Sequence, residues 1–157
     1  MGFDCKLYRN TAVTGSAINF ASPTWDLIPN VRDASVQMEM DEADTTIRGS
    51  VGGAKLTNPA TLSLTIEFSM VWDTADADML ALRTAMFART AVDLLAIDQT
   101  TTGGVSPYGQ GPRAVCALFA GNRPEPVNGL VTYDVVAKPC YDTATLANNG
   151  VVWFTGA

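Results

Sequence analysis

From Ala60 to Trp72 apolar and polar side chains alternate along the chain. Leu62, Leu64, Ile66, Phe68, Met70 and Trp72 are apolar, and Thr61, Ser63, Thr65, Glu67 and Ser69 between them are polar, until Val71 breaks the pattern. A period of two sorts side chains onto the opposite faces of a β-strand. A shorter stretch upstream does the same, with Val36, Met38 and Met40 on one face and Ser35, Gln37, Glu39 and Asp41 on the other. The pattern predicts a long hairpin over residues 30–72, with strands reaching roughly 30–40 Å at about 3.3 Å per residue. Neither strand carries Lys or Pro between Ala34 and Met40 or between Ala60 and Trp72. Those residues ordinarily blunt a sheet edge against further pairing, so the edges are expected to pair with something.

The loop joining the strands, residues 42–54, is too long for a tight turn, and loops of about a dozen residues are usually functional or mobile. Its charges are sorted. Glu39, Asp41, Glu42 and Asp44 lead in, and Arg48 and Lys55 lead out. This order suits an acid-to-base contact between copies of the chain, or equally a solvated loop. Gly49, Gly52 and Gly53 ahead of Lys55 lack the spacing of a phosphate loop, and no Ser or Thr follows the Lys directly.

Residues 73–89 carry the helix signal. Asp73 is the expected cap, Asp76 its capping-box partner, and Asp78 sits in the positive first turn. Ala75, Met79, Leu82 and Met86 form an apolar stripe that Leu80 and Phe87 widen. The three aspartates lack the central Gly and closing Glu of a calcium loop, so capping accounts for them better. Ahead of the hairpin, residues 3–29 predict a short strand and an irregular arm anchored by Ile18, Phe20, Trp25, Leu27 and Ile28. Residues 92–138 predict a buried strand at Val92–Ile97, a Gly-rich loop from Asp98 to Pro112, and a second hairpin of Arg113–Ala120 and Leu130–Ala137. Residues 139–157 predict a C-terminal arm whose Val-Val-Trp-Phe run, after the Asn148-Asn149-Gly150 turn, is a terminal strand or arm. The expectation is one domain over 1–157, mainly β, a sandwich or barrel-like sheet with one packed helix.

Composition narrows the chemistry. The 157 residues are 47% apolar and 17% charged, as in an ordinary globular protein. No apolar run approaches the ~20 residues of a membrane span. The start lacks a signal-peptide pattern, and Lys6 stands where a myristoylation motif wants Ser or Thr. A net charge of −6 argues against gripping phosphate backbones. The chain has no His, and Cys5, Cys116 and Cys140 match no zinc or redox spacing. They are expected to be buried thiols in a reducing compartment, and neither a metal nor a cofactor is expected. Glu39 and Glu67 would offer a carboxylate pair for acid–base work if the two strands set them opposite. They sit among Ser, Thr and Gln with no clustered aromatics, so no enzymatic activity is expected.

The stretch Val31–Glu39, the Glu42-Ala43-Asp44-Thr45-Thr46-Ile47-Arg48-Gly49 string and the Thr65–Trp72 strand followed by Asp73 together resemble the tail tube proteins (major tail proteins) of long-tailed, siphophage-type bacteriophages. The likeness also takes in Trp25–Asp33, the helix with Leu82-Arg83, and Lys138-Pro139. It covers nearly the whole chain, and fits least well at the N-terminal segment and at Asp98–Pro112.

The resemblance implies stacked hexameric rings in which each subunit gives two hairpins to a continuous inner β-barrel, with the helix outside. It implies that Ser35, Gln37, Glu39, Asp41, Ser63, Thr65, Glu67, Ser69, Thr132 and Asp134 line the lumen. Val36, Met38, Met40, Leu62, Leu64, Ile66, Phe68 and Met70 then face the subunit core, and Glu42, Asp44, Arg48 and Lys55 make contacts between subunits or rings. Implied partners are further copies of the chain, a tape-measure protein, a tail terminator and baseplate or tail-tip proteins. DNA passes through without sequence reading, and no membrane is involved. The implied location is the virion tail, assembled in the host bacterial cytoplasm. The inner tube of a contractile tail or related injection machine shares the architecture, and a β-sandwich binding module is the alternative from another class.

Overall fold

The computed structural model describes residues 5–14, 17–46, 56–98, 109–141 and 150–156. The elements, in chain order, are β1 (Lys6–Asn10), β2 (Val13–Thr14), β3 (Ala17–Ile18), β4 (Trp25–Leu27), β5 (Val31–Asp44), β6 (Thr57–Val71), α1 (Ala77–Ala88), β7 (Val92–Ile97), β8 (Gly109–Asn122), β9 (Thr132–Pro139) and β10 (Val151–Gly156). The alternating stretches become β5 and β6, paired antiparallel as a long hairpin. Strands run in the order β4-β1-β7-β8-β9-β6-β5, and β10 adds to β8. The small β2–β3 ribbon stands apart from this sheet.

The sheet curls into a half-barrel and brings β1 against β5 without a ladder between them. A cleft of about 640 Å³ remains there, with Leu7, Ile28, Ala34 and Phe68 in its lining. The concave side is the core. Leu7, Leu64, Ile66, Phe68, Met70, Leu94, Val135 and Ala137 meet Met79, Leu82 and Ala85 from the helix. Each large side chain buried this way contributes roughly 1.5–3 kcal/mol.

Register shifts keep the two faces sorted. Between Val31 and Asp33 the extra residue is Arg32 on β5, so Asp33 keeps the polar row of Ser35, opposite Ser69, while Val31 is turned to the core side opposite Met70. On β8 the extra residue is Phe119, between Leu118 opposite Ala137 and Ala120 opposite Val136. That bulge turns Gly121 toward the core side, where an added Cβ would come within 2.2 Å of the Tyr133 hydroxyl. A bulge of this kind re-aims side chains without ending the ladder.

The helix begins later than the sequence pattern predicts. Asp76 is the cap, accepting from the backbone N–H of Asp78 at 2.8 Å and of Met79 at 3.2 Å. Asp73 accepts from the Ala75 N–H within the preceding turn. The reason is topological: Trp72 is still bonded through its N–H to the Val131 carbonyl, so the chain must turn off the sheet before a helix can start. The covered stripe is Asp78, Met79, Leu82 and Ala85. Leu80 and Phe87 do not widen it, being 48% and 80% exposed. Asp78 is drawn inward by Arg9 of β1, whose Nη2 lies 2.6 Å from its carboxylate.

The strand over Val92–Ile97 is buried along its whole length. Its neighbour β8 starts at Gly109, inside the stretch expected to be loop, because β10 supplies a ladder partner, with Trp153 opposite Pro112 and Phe154 opposite Gly111. An added Cβ at Gly111 would sit 1.8 Å from the Ala96 carbonyl oxygen, which makes this a place of close backbone approach. The second hairpin, β8 with β9, forms as expected, shifted at its far strand to Thr132–Pro139. The arm ahead of the hairpin is fixed to its own subunit. The Asn10 side-chain oxygen accepts from the N–H groups of Ala12 and Thr24, and the Arg113 guanidinium lies over the Phe20 and Trp25 rings. Of the cysteines, Cys116 is buried while Cys5 and Cys140 are half-buried, and no disulfide joins them.

Candidate functional site

The face of β6 opposite the core carries a mostly polar surface shared with its neighbours. Ser35 stands opposite Glu67, Gln37 opposite Thr65, and Glu39 opposite Ser63. On the other side Ser69 stands opposite Asp134, and Val71 opposite Thr132. The Ser69 hydroxyl donates to the Asp134 carboxylate at 2.7 Å. Ser35, Gln37, Glu39, Asp41, Ser63 and Glu67 are exposed, and Thr65, Ser69, Thr132 and Asp134 are half-buried. The register therefore brings these positions, scattered from 35 to 134, onto one surface.

Sequence reasoning missed several members of that face. Asp33 joins the row of Ser69 and Asp134 by extending the period of two back from Ser35 along β5. Val136, opposite Glu67, and Lys138, opposite Ala117, follow from extending the period of two along β9. Asn122 arrives opposite Asp134 only through the Phe119 bulge, which no sequence signal marks. The described residues thus set Asp33, Glu39, Asp41, Glu67 and Asp134 against Lys138 on this surface.

The register also separates the two glutamates weighed for acid–base work. Glu39 pairs with Ser63 and Glu67 with Ser35, which places them about 13 Å apart along the strands at ~3.3 Å per residue. Carboxylate pairs that cleave glycosidic bonds lie roughly 5–9.5 Å apart. Among the described residues no group of three or more His, Cys, Asp or Glu is arranged to hold a metal ion.

The apolar face of the hairpin divides in two. Leu64, Ile66, Phe68 and Met70 are buried, and Val36 is half-buried. Met38, Met40 and Leu62 were expected in the core, yet they are 45%, 54% and 43% exposed. They share the face of the core row but lie beyond its cover. The ladder from β9 reaches β6 only between Ile66 and Val71, so the hairpin projects past the body of the subunit.

Glu42 and Asp44 continue this projecting apolar face. Between Met40 and Glu42 the extra residue lies on β6, whose partners step from Leu62 to Pro59, so β5 keeps its alternation. Hydrogen bonds from the Thr46 side chain and backbone hold the Asp44 carboxyl below the usual carboxylate range. Arg48 and Lys55, their expected counterparts, lie outside the described residues.

In the segment formed by β8, β9, β6 and β5, the outer side of β5 over its whole length and the side of β8 away from β9 over Ala117–Asn122 lack a ladder partner among the described residues.

No family model and no curated protein matches the chain. Solved structures do. The chain is similar to a protein in the tail of an empty gene transfer agent particle refined with six-fold symmetry, at 16% identity, over 96% of each chain, with a TM-score of 0.62. It is also similar to the SPP1 tail tube, at 13% identity, covering 99% of this chain and 79% of that one, with a TM-score of 0.68. The fold is that of a tail tube. A third similarity, to a protein in the baseplate of the anti-feeding prophage, has 7% identity over 99% and 95% of the two chains and a TM-score of 0.54.

Proposed function

We propose that this chain is the tail tube protein of a siphophage-type bacteriophage, a structural virion component that assembles as stacked hexameric rings around a bore for the genome. One observation carries the proposal: a single acid-rich face runs across β9, β6 and β5, continued on β8 by Ala117, Ala120 and Asn122, and the sheet segment that bears it is open at both sides. Exposed edges of this length are aggregation-prone in an isolated protein, and closure into a barrel removes them. The β5 edge of one copy meets the Ala117–Asn122 edge of the next, and repetition closes the ring.

In that ring Ser35, Gln37, Glu39, Asp41, Ser63, Thr65, Glu67, Ser69, Thr132 and Asp134 line the lumen. Their carboxylates recur around the bore as acidic girdles. Within about a Debye length, ~8 Å at physiological salt, these repel DNA phosphates and keep the genome from adhering in transit. Catalysis has no part in this mechanism. Glu42 and Asp44, with Arg48 and Lys55, contact neighbouring copies. A tape-measure protein, a tail terminator and tail-tip proteins complete the tail, which is assembled in the host cytoplasm.

The similarity to the anti-feeding prophage baseplate protein supports a second reading, the inner tube of a contractile injection machine. Electron microscopy of purified protein tests the main proposal: rings or tubes with an open bore are expected, and a protein that remains a monomer at high concentration overturns it. Images of the native particle separate a bare tail from one surrounded by a sheath.

A further inference from the structure

Among the apolar side chains left uncovered in the described residues, two groups lie on different elements. The first is the underside of the projecting hairpin, Met38, Met40 and Leu62, with the carboxylates of Glu42 and Asp44 extending the same face. The second is the outward side of α1, where Leu80 and Phe87 recur at helical spacing, 48% and 80% exposed. Arg83, one turn from each, is half-buried at the flank of that side with its guanidinium 6.0 Å from the centre of the Trp72 ring, and Arg89 follows at the left-handed cap. Arg89 is exposed and makes no ion pair among the described residues.

The two patches match in character and are opposite in charge. Within one subunit they cannot meet. The helix turns Met79, Leu82 and Ala85 onto its own core, so Leu80 and Phe87 face away from it. We infer that the hairpin underside of one copy seats on the outward face of α1 in a second copy, with Glu42 and Asp44 directed at Arg83 and Arg89.

This inference rests on the tube reading and names a contact that holds the tube together. A contact between unlike patches leaves one of each free on every pair, so it propagates into rings or filaments and does not stop at a dimer. It also explains why the hairpin keeps apolar side chains beyond the end of its own core. They are covered on assembly and add hydrophobic area to an interface that otherwise rests on strand pairing.

The test uses one variant for each patch, Met40→Asp and Phe87→Asp. Both positions are exposed in the single subunit, so far-UV circular dichroism and the urea midpoint should match the wild type. Wild-type polymerisation is measured alongside by sedimentation velocity. Each variant alone should need about tenfold or more higher concentration to polymerise. An equimolar mixture should recover a dimer, because Phe87→Asp keeps an intact hairpin and Met40→Asp an intact helix face. Should either variant fail to fold, the charge pair supplies the test. Glu42→Lys with Asp44→Lys should weaken assembly, and adding Arg83→Glu and Arg89→Glu should restore it. Variants that polymerise like the wild type, or a charge swap without rescue, overturn this contact and leave the tube reading standing. A wild type that never polymerises overturns the tube reading instead.

Discussion

Asp93 and Arg113 form a two-point ion pair between β7 and β8: the Arg113 Nη2 lies 2.6 Å from Oδ2 of Asp93, and its Nε lies 3.1 Å from Oδ1. Both side chains are nearly closed to solvent, at 9% and 0% exposure. Asn10 donates a further hydrogen bond to the Asp93 carboxylate at 2.9 Å, and Arg113 donates to the Phe20 carbonyl at 3.0 Å. The pair thus fastens the N-terminal arm to the sheet. Asp93→Ala should lower stability by about 3–5 kcal/mol, because it leaves a buried guanidinium without its partner. The double variant Asp93→Leu with Arg113→Met should regain much of that loss. Urea unfolding of the two singles and the double measures the coupling. A near-neutral Asp93→Ala would mean that water reaches the site.

Cap identity separates the two candidate aspartates. Asp76→Ala should cost about 1 kcal/mol through loss of the bonds to the Asp78 and Met79 N–H groups. Asp73→Ala removes only a turn contact to the Ala75 N–H and should cost a few tenths. Thermal unfolding with both variants checks the order, and a larger effect at Asp73 would restore the earlier helix start.

Burial pushes the Cys116 thiol well above its ordinary range, with smaller contributions from nearby Cys140 and Asp93. The unfolded thiol ionises near pH 8.5, so above that pH the folded state binds the extra proton. Stability is therefore whole below about pH 8.5 and falls as pH rises further, by up to ~1.4 kcal/mol per unit from this one group. Comparing Cys116→Ala with the wild type between pH 7 and 10 isolates the contribution. The variant starts less stable, but its decline should be shallower. Parallel pH curves would show that the thiol ionises freely in the fold.

Glu39 and Glu67 are exposed on the polar face, so replacing both with Lys should leave the fold and ring formation intact. On the proposed tube reading, genome delivery should slow or stall as phosphates meet cationic girdles. Leu64→Asp, on the buried side of the same strand at 2% exposure, should instead abolish folding. An ejection rate unchanged by the double Lys variant would count against a position inside the bore.

Local pattern made the strands legible. The alternation around Leu64 and Glu67 announces two faces whatever lies nearby, and the apolar run of Val92–Ile97 announces a buried strand. The helix was legible as an element, but its start was not, because the bond from Trp72 to the Val131 carbonyl comes from a segment far along the chain. The strand at Gly109–Pro112 was hidden for a similar reason: its ladder partner is β10.

The sequence by itself determined which side chains share a face, since the period of two belongs to the backbone of each strand. Only the tertiary structure decided which part of a face is covered. Met40 and Ile66 belong to the same apolar side of the hairpin, yet one is 54% exposed and the other fully buried. The difference arises from where β9 stops pairing with β6 and how far the hairpin runs beyond it. The bulges at Arg32 and Phe119, which turn Val31 to the core side and bring Asn122 onto the polar face, arise likewise from fitting one strand to another and leave no periodic trace in either.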